Sequence, residues 1–222
     1  MPNNYDSIAG YYDWIHHLFY GQAEVNAQVE LLEHVRAGDR LMIVGGGTGW
    51  ILEKIAAIHP SGLRITYIES SAKMMELTQS RNWAGNTVDF FTGRVENWRP
   101  SAPEGYDCIL TGFFFDNFKA EHARRIVQQL TPYLKPGGYW LETDFYYPRK
   151  RGKLWQAILL WTMYVSARII CRVEARHLPD METIFNEEGY ERVTTAFHYQ
   201  RFIRSMAYRK RIESPQRTGV VS

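Results

Sequence analysis

The 222-residue chain sets 26 Lys and Arg against 24 Asp and Glu, a formal net charge of only +2, so its totals carry no electrostatic footprint for nucleic acid. That length suits a single α/β domain with a sizeable core and is short for two. Cys108 and Cys171 both lie inside apolar runs, which fits reduced core thiols of a cytoplasmic protein; no metal-ligand spacing occurs, and no metal site is expected.

In chain order, Met1 to Ala9 is polar and lacks the apolar stretch of a signal peptide, and an aromatic, amphipathic lead-in runs from Tyr5 to about Val35. Arg40 to Val44 is a short apolar run ending in a glycine cluster, as a buried parallel strand does before its helix. The pattern then predicts a helix over Trp50 to Ile58, stopped by His59, Pro60, Ser61 and Gly62, a strand over Leu63 to Ile68, and a helix over Ser71 to Trp83. Further strands are expected at Val88 to Phe91, Asp107 to Gly112 and Tyr139 to Asp144, the last introduced by a turn at Lys135 to Gly138. A helix over Ala120 to Leu134 fills the gap before that turn.

Leu154 to Cys171 is about as long as a membrane span, but Gln156, Ser166 and Arg168 interrupt it, which favours a buried or half-buried helix. The adjoining basic cluster of Arg149, Lys150, Arg151 and Lys153 reads as a solvated loop, with substrate or membrane contact as the alternative. A short helix at Met181 to Glu188, stopped by Gly189, precedes an alternating stretch from Glu191 to Arg209 that folds back around Tyr199 to Arg201. Together these elements predict an α/β fold with a Rossmann-like, doubly wound, mostly parallel sheet, a C-terminal antiparallel hairpin and an aromatic helical cap. Within that single domain, 1–38 would be an N-terminal helical lid, 39–145 a cofactor-binding core, 146–190 the cap helices and 191–210 the closing strands.

The strongest local signal is Val44-Gly45-Gly46-Gly47-Thr48-Gly49 between a predicted strand and a predicted helix. Glycines there let backbone N–H groups approach a ligand at the carboxyl end of a strand. A dinucleotide fingerprint, G-x-G-x-x-G, would put its third glycine where Trp50 stands, so the spacing disfavours a nicotinamide oxidoreductase. Twenty residues past Gly49, Glu69 ends the second strand, where a carboxylate can accept from ribose hydroxyls. Either feature alone is weak; in this order and context they point to cofactor binding.

With these residues the chain resembles the class I S-adenosylmethionine (SAM) dependent methyltransferases, particularly the small-molecule branch that includes quinone-biosynthesis C-methyltransferases. The likeness covers about Tyr5 to Asp144: the lead-in Tyr5 to Asp13, the Gly45 to Gly49 loop, Glu69, the segment Phe91 to Glu96, and Leu134-Lys135-Pro136-Gly137-Gly138-Tyr139. The resemblance implies SAM as cofactor and S-adenosylhomocysteine (SAH) as product. It places Gly45, Gly47 and Gly49 against the methionine part, Glu69 on the ribose, and Ser70 and Met74 at the adenine. The cofactor-lining set expected in full is Tyr12, Gly45, Gly46, Gly47, Gly49, Glu69, Ser70, Ser71, Met74, Arg94, Val95, Glu96, Thr111 and Phe114. Two positions depart from the family pattern: Ile43, where relatives usually carry an acidic residue, and Arg94, where an aspartate is frequent.

SAM carries an electrophilic methyl, so the protein's main task is to hold a nucleophile in line with it, and a dedicated base is optional. The end of the fourth strand, Leu110 to Asn117, lacks an Asn-Pro-Pro-Tyr type of signature and is aromatic instead, which suits an apolar or aromatic acceptor. Tyr11 to Tyr20, Phe113 to Phe118 and the helix holding Trp155, Trp161, Met163 and Tyr164 could roof the pocket. Candidate bases are His16, His17, Asp116 and Asp144, with Tyr12 and Tyr146 as orienting hydroxyls. The expected activity is methyl transfer to a small molecule, by O- or C-methylation, in a monomer or homodimer. A degenerate SAM-binding module and a membrane-associated quinone or lipid methyltransferase are the alternatives.

Overall fold

The computed structural model describes residues 22–100, 105–147, 153–161, 175 and 177–212. Its first helix, α1 (Ala23–Leu31), runs into a 3₁₀ turn at Leu32–His34. Then follow β1 (Arg40–Val44), α2 (Trp50–Ile58), β2 (Ser61–Glu69), α3 (Ala72–Gln79), β3 (Gly85–Thr92) and β4 (Tyr106–Gly112). Next come α4 (Ala120–Leu130), β5 (Leu134–Phe145), α5 (154–161), α6 (Met181–Glu187), β6 (Tyr190–His198) and β7 (Ile203–Lys210).

The strands form one sheet in the order β3-β2-β1-β4-β5-β7-β6, parallel through β5, with β7 antiparallel to both its neighbours. The expected hairpin is present, but it does not simply add an edge: its second strand slots in beside β5 and its first strand becomes the edge. The strand order reverses between β1 and β4, and in doubly wound sheets ligands bind in the crevice outside the carboxyl ends at such a reversal.

Several boundaries move for local reasons. The helix expected to reach Trp83 stops at Gln79, where the Ser80 hydroxyl donates to the Leu77 carbonyl at 2.6 Å and Ala84 takes a φ of +52°. The helix expected to reach Leu134 stops at Leu130, because Pro132 has no N–H to continue the ladder and starts a 3₁₀ turn over Thr131–Tyr133. Lys135 to Gly138 is a bulge within β5: Leu134 pairs with Tyr106 and Tyr139 with Cys108, so four residues stand opposite Asp107 alone.

Alternation along the strands sorts the core into two faces. Leu41 and Ile43 of β1 pack with α1 and α2 through Leu31, Ile51, Leu52 and Ile55. Met42 and Val44 turn the other way, toward Ala123, Ile126, Val127 and Leu130 of α4 and Ile184 and Phe185 of α6. The i, i+3, i+4, i+7 spacing of the α4 residues is that of a helix with one buried stripe. Each buried Leu, Ile or Val side chain among these contributes about 1.5–3 kcal/mol. Cys108 is a buried free thiol whose pKa burial pushes up to about 12, which makes it inert at neutral pH. No helix among the described residues is long and apolar enough to cross a membrane, and these residues hold no metal-ligand cluster.

Candidate functional site

The loop between β1 and α2 lies at the strand-order reversal. Gly45 donates to the Ile68 carbonyl at 2.8 Å and has a φ of +67°; a Cβ added there would stand 2.4 Å from a Phe114 ring carbon. Gly49 has a φ of +79° and begins α2 with no side-chain cap, and a Cβ there would meet the Thr78 backbone at 2.9 Å. Both positions therefore require glycine for conformation and for space. The first N–H groups of α2 lie beside this loop, as in anion- and cofactor-binding βα turns.

The loop is gripped from behind by residues the sequence did not single out. The Tyr67 hydroxyl donates to the Gly47 carbonyl at 3.2 Å, its ring lying against Gly46. Thr78 Oγ1 lies 2.8 Å from the same carbonyl and 2.9 Å from that of Met74, so one hydroxyl proton serves both. Arg81 Nε donates to the Thr48 carbonyl at 3.0 Å. Each contact joins residues 20 or more apart in sequence, so only the pairing of β1 with β2 and the seating of α3 could reveal it.

Glu69 is buried at the end of β2 and faces this loop. Its Oε2 accepts from Gly47 N–H at 3.0 Å, and its Oε1 accepts from Ser71 N–H at 2.7 Å and from the Ser70 hydroxyl at 3.3 Å. Burial raises its pKa, opposed by the amides of Ser71 and Gly47. A carboxylate has about four acceptor positions, and the backbone N–H groups of Gly47, Ser70 and Ser71 and the Ser70 hydroxyl surround this one. The long Ser70 hydroxyl contact is the one most readily exchanged for a ligand hydroxyl, which fits the ribose of SAM beside a glycine loop. Ser71 caps α3 by accepting from Met74 N–H at 3.2 Å, which fixes the Glu69-Ser70-Ser71 turn and buries Met74 at its base.

Arg94, Val95 and Glu96 follow β3. Arg94 pairs with the Glu96 carboxylate, which also meets His122 Nε2 at 2.8 Å, and Gln129 donates to the Val95 carbonyl at 3.0 Å. Burial pushes the Glu96 carboxyl up, but Arg94 and His122 more than offset it and hold its pKa below the usual value. The Arg94 guanidinium is thus engaged by Glu96. Ile43 is wholly buried within the apolar face of β1, and so offers nothing to a ligand's amino group.

At the end of β4, Phe113 has a φ of +50° and donates to the Thr143 carbonyl at 2.7 Å. A left-handed conformation at a bulky residue is strained and turns the chain sharply. Phe114 follows, half-buried against Gly45, with its ring centroid 4.9 Å from that of Phe118. Thr111 stands differently from expectation: it is buried, and its hydroxyl accepts from the Trp140 indole N–H at 3.1 Å, so its side chain is committed to the core.

Asp116 and Asp144, expected as bases, come together in a buried carboxylate cluster. Asp144 accepts from Asp116 N–H at 2.9 Å through Oδ2 and from Phe145 N–H at 2.8 Å through Oδ1, while Asn117 Nδ2 donates to the Asp116 carboxylate at 2.6 Å. Glu142, two residues before Asp144 on the same face of β5, is 2% exposed, and its Oε2 has no hydrogen-bond partner among the described residues. Burial pushes Asp144 up to about 7, and burial and the Asp144 charge push Glu142 up to about 8. Burial with the charges of Asp144 and Glu24 drives Asp116 upward as well. Tyr12, His16 and His17 lie outside the described residues, as do Met163 and Tyr164. Tyr146 follows β5 directly, with the Arg204 guanidinium over its ring at 4.8 Å.

A mostly parallel, doubly wound sheet with a glycine loop and a buried acid at its reversal point defines a nucleoside-cofactor enzyme of Rossmann-like architecture. A sequence profile of the methyltransferase domain family (Methyltransf_25) matches residues 42–138. The ubiquinone/menaquinone biosynthesis C-methyltransferase UbiE of Pseudomonas putida is 26% identical over 182 residues, covering 73% of this chain and 69% of that protein. Among solved structures, a chain of the complex between the Haloferax volcanii Trm112 methyltransferase activator and a methyltransferase superposes with a TM-score of 0.72 at 12% identity, covering 96% of this chain and all of that one. Magnesium protoporphyrin IX methyltransferase (ChlM) from Synechocystis PCC 6803, with bound SAH, gives a TM-score of 0.62 at 18% identity, covering 85% of this chain and 83% of that one. Residues 42–138, which hold the glycine loop and Glu69, thus match a methyltransferase domain, and the fold is that of SAM-dependent methyltransferases.

Proposed function

We propose that this enzyme methylates a small apolar or aromatic acceptor, such as a phenol, a quinol or a polyketide-like acid, at oxygen or carbon. The observation that carries the reading is the seating of Phe114 on Gly45. It brings the aromatic turn at the end of β4 directly onto the glycine loop, so the wall beside the cofactor site is apolar. SAM, when bound, supplies an electrophilic methyl group on a sulfonium.

In this reading Gly45, Gly46, Gly47 and Gly49 present backbone to the cofactor, and Glu69 and Ser70 receive its ribose. Ser71, Met74, Arg94, Val95 and Glu96 border the base. Thr111 is left out because Trp140 holds its hydroxyl. Phe113, Phe114 and Phe118 exclude water from the acceptor and orient its flat face, which suits a nucleophile needing proximity more than strong base assistance. Asp144 holds the Asp116 and Phe145 amides; its part is to set the β4 turn against β5 rather than to take a proton from the acceptor.

The test is transfer of labelled methyl from SAM to a panel of phenols, quinols and polyketide-like acids, with wild type and Phe114→Ala side by side. Transfer to at least one aromatic acceptor, with kcat/KM reduced in the variant, is expected. SAH binding without transfer to any of them would count against this acceptor class and favour a binding module.

A further inference from the structure

We propose that the outward face of α5 docks the enzyme on an anionic lipid surface. The helix is apolar on two opposite sides. Its inner side seats Trp155, Leu159 and Leu160 on a cluster with Phe145, Phe202 and Phe113. Its one polar side chain, Gln156, is also turned inward and donates to the Gln200 carbonyl at 3.2 Å. The outer side carries Leu154, Ile158 and Trp161, which are 77%, 55% and 66% exposed. Their i, i+4, i+7 spacing puts them in one stripe. Three large apolar side chains left in water on a single stripe mark an interaction surface, whereas isolated ones would not.

The charge around the stripe selects the occupant. Between Asp144 and Glu174 the sequence has six basic residues and no acidic one, although the whole chain is only +2, so this stretch of sequence is strongly basic and the remainder is net negative. Lys153 opens α5 and is exposed, and Tyr199 and the exposed Arg201 lie on the adjoining turn, with the Tyr199 ring 5.9 Å from that of Trp155. The Glu30 carboxylate lies 3.1 Å from His198 Nε2. A second copy of this chain docked across a twofold axis would set these like charges against each other. A bilayer with anionic headgroups instead satisfies an apolar stripe with a tryptophan at one end and lysine or arginine at its margin. With its inner side packed on the protein core, the helix would lie in the interface. The proposal does not depend on the acceptor, although a docked α5 would place the Phe113 cluster directly behind the lipid contact.

Vesicle flotation of the full chain tests it, comparing phosphatidylcholine alone with phosphatidylcholine containing about a third phosphatidylglycerol. Binding to the anionic vesicles, weakened by salt, is expected. Leu154→Asp/Ile158→Asp is expected to lower it about tenfold or more and Lys153→Glu severalfold, with SAH affinity and the far-ultraviolet spectrum unchanged. No flotation of the wild type, binding equal on both vesicles, or unchanged binding of the double variant would overturn it. So would light scattering that shows a dimer abolished by the same double variant, which would assign the stripe to self-association.

Discussion

Glu69 Oε2 accepts a hydrogen bond from the Gly47 amide at 3.0 Å, so the acid at the end of β2 is a strut of the glycine loop as well as an acceptor for whatever the loop holds. Removing it strikes both functions. Glu69→Ala is expected to weaken SAH binding roughly a hundredfold, about 3 kcal/mol, as charged hydrogen bonds of this kind contribute about 1.5–3 kcal/mol each. Glu69→Gln, which keeps one acceptor oxygen, should fall between. Calorimetric titration with SAH checks this, and wild-type affinity in both variants would remove Glu69 from the site.

Gly45 and Gly47 separate steric from conformational cost. Both have positive φ, but a Cβ at Gly47 has nothing within 4 Å, whereas at Gly45 it meets the Phe114 ring. Gly47→Ala should cost about 1 kcal/mol for the backbone alone, and Gly45→Ala at least about 1 kcal/mol more from overpacking. Adding Phe114→Ala to Gly45→Ala should recover that second part. Chemical denaturation of the three variants measures the difference, and equal losses at the two glycines would contradict the close approach of Phe114.

Asp144 tests positioning against base catalysis. Asp144→Asn keeps one acceptor and turns an amide N–H₂ toward the other backbone donor, leaving a buried N–H unpaired at a cost of about 1–3 kcal/mol. As a positioning residue it should raise KM for the acceptor and leave the shape of the kcat pH profile intact. Disappearance of the acidic limb of that profile would instead mark Asp144 as the base.

Glu142 makes a prediction about stability. Its folded pKa, about 8, lies above the ordinary 4.5, so the folded state retains a proton that the unfolded chain releases. The stabilisation is complete below the unfolded value and is lost as pH rises through about 8. Unfolding free energy should therefore fall between about pH 5 and pH 8, with a limiting slope of about 1.4 kcal/mol per pH unit for one such group. Glu142→Gln should flatten that slope by about 1 kcal/mol per unit, read from denaturation curves at several pH values. An unchanged slope would locate the titration elsewhere in the cluster.

The sequence by itself determined the succession of elements, the glycine loop and the acid after β2, because hydrophobic period, turn residues and their spacing are properties of neighbouring residues. Gly45 to Gly49 and Glu69 could be read as a pair since the βα unit that joins them is local. Tertiary structure alone decided which side chains serve the site. Tyr67, Thr78 and Arg81 reach the loop only through the β1–β2 register and the seat of α3; Thr111 is claimed by Trp140 from the neighbouring strand. Asp116 and Asp144, 28 residues apart, meet because β4 pairs with β5 and the Phe113 turn folds back on that pair. The insertion of β7 beside β5 was equally illegible, since alternation shows that a segment is a strand but not which neighbour its backbone will bond. That choice is made by long-range packing, which leaves no periodic trace in the chain.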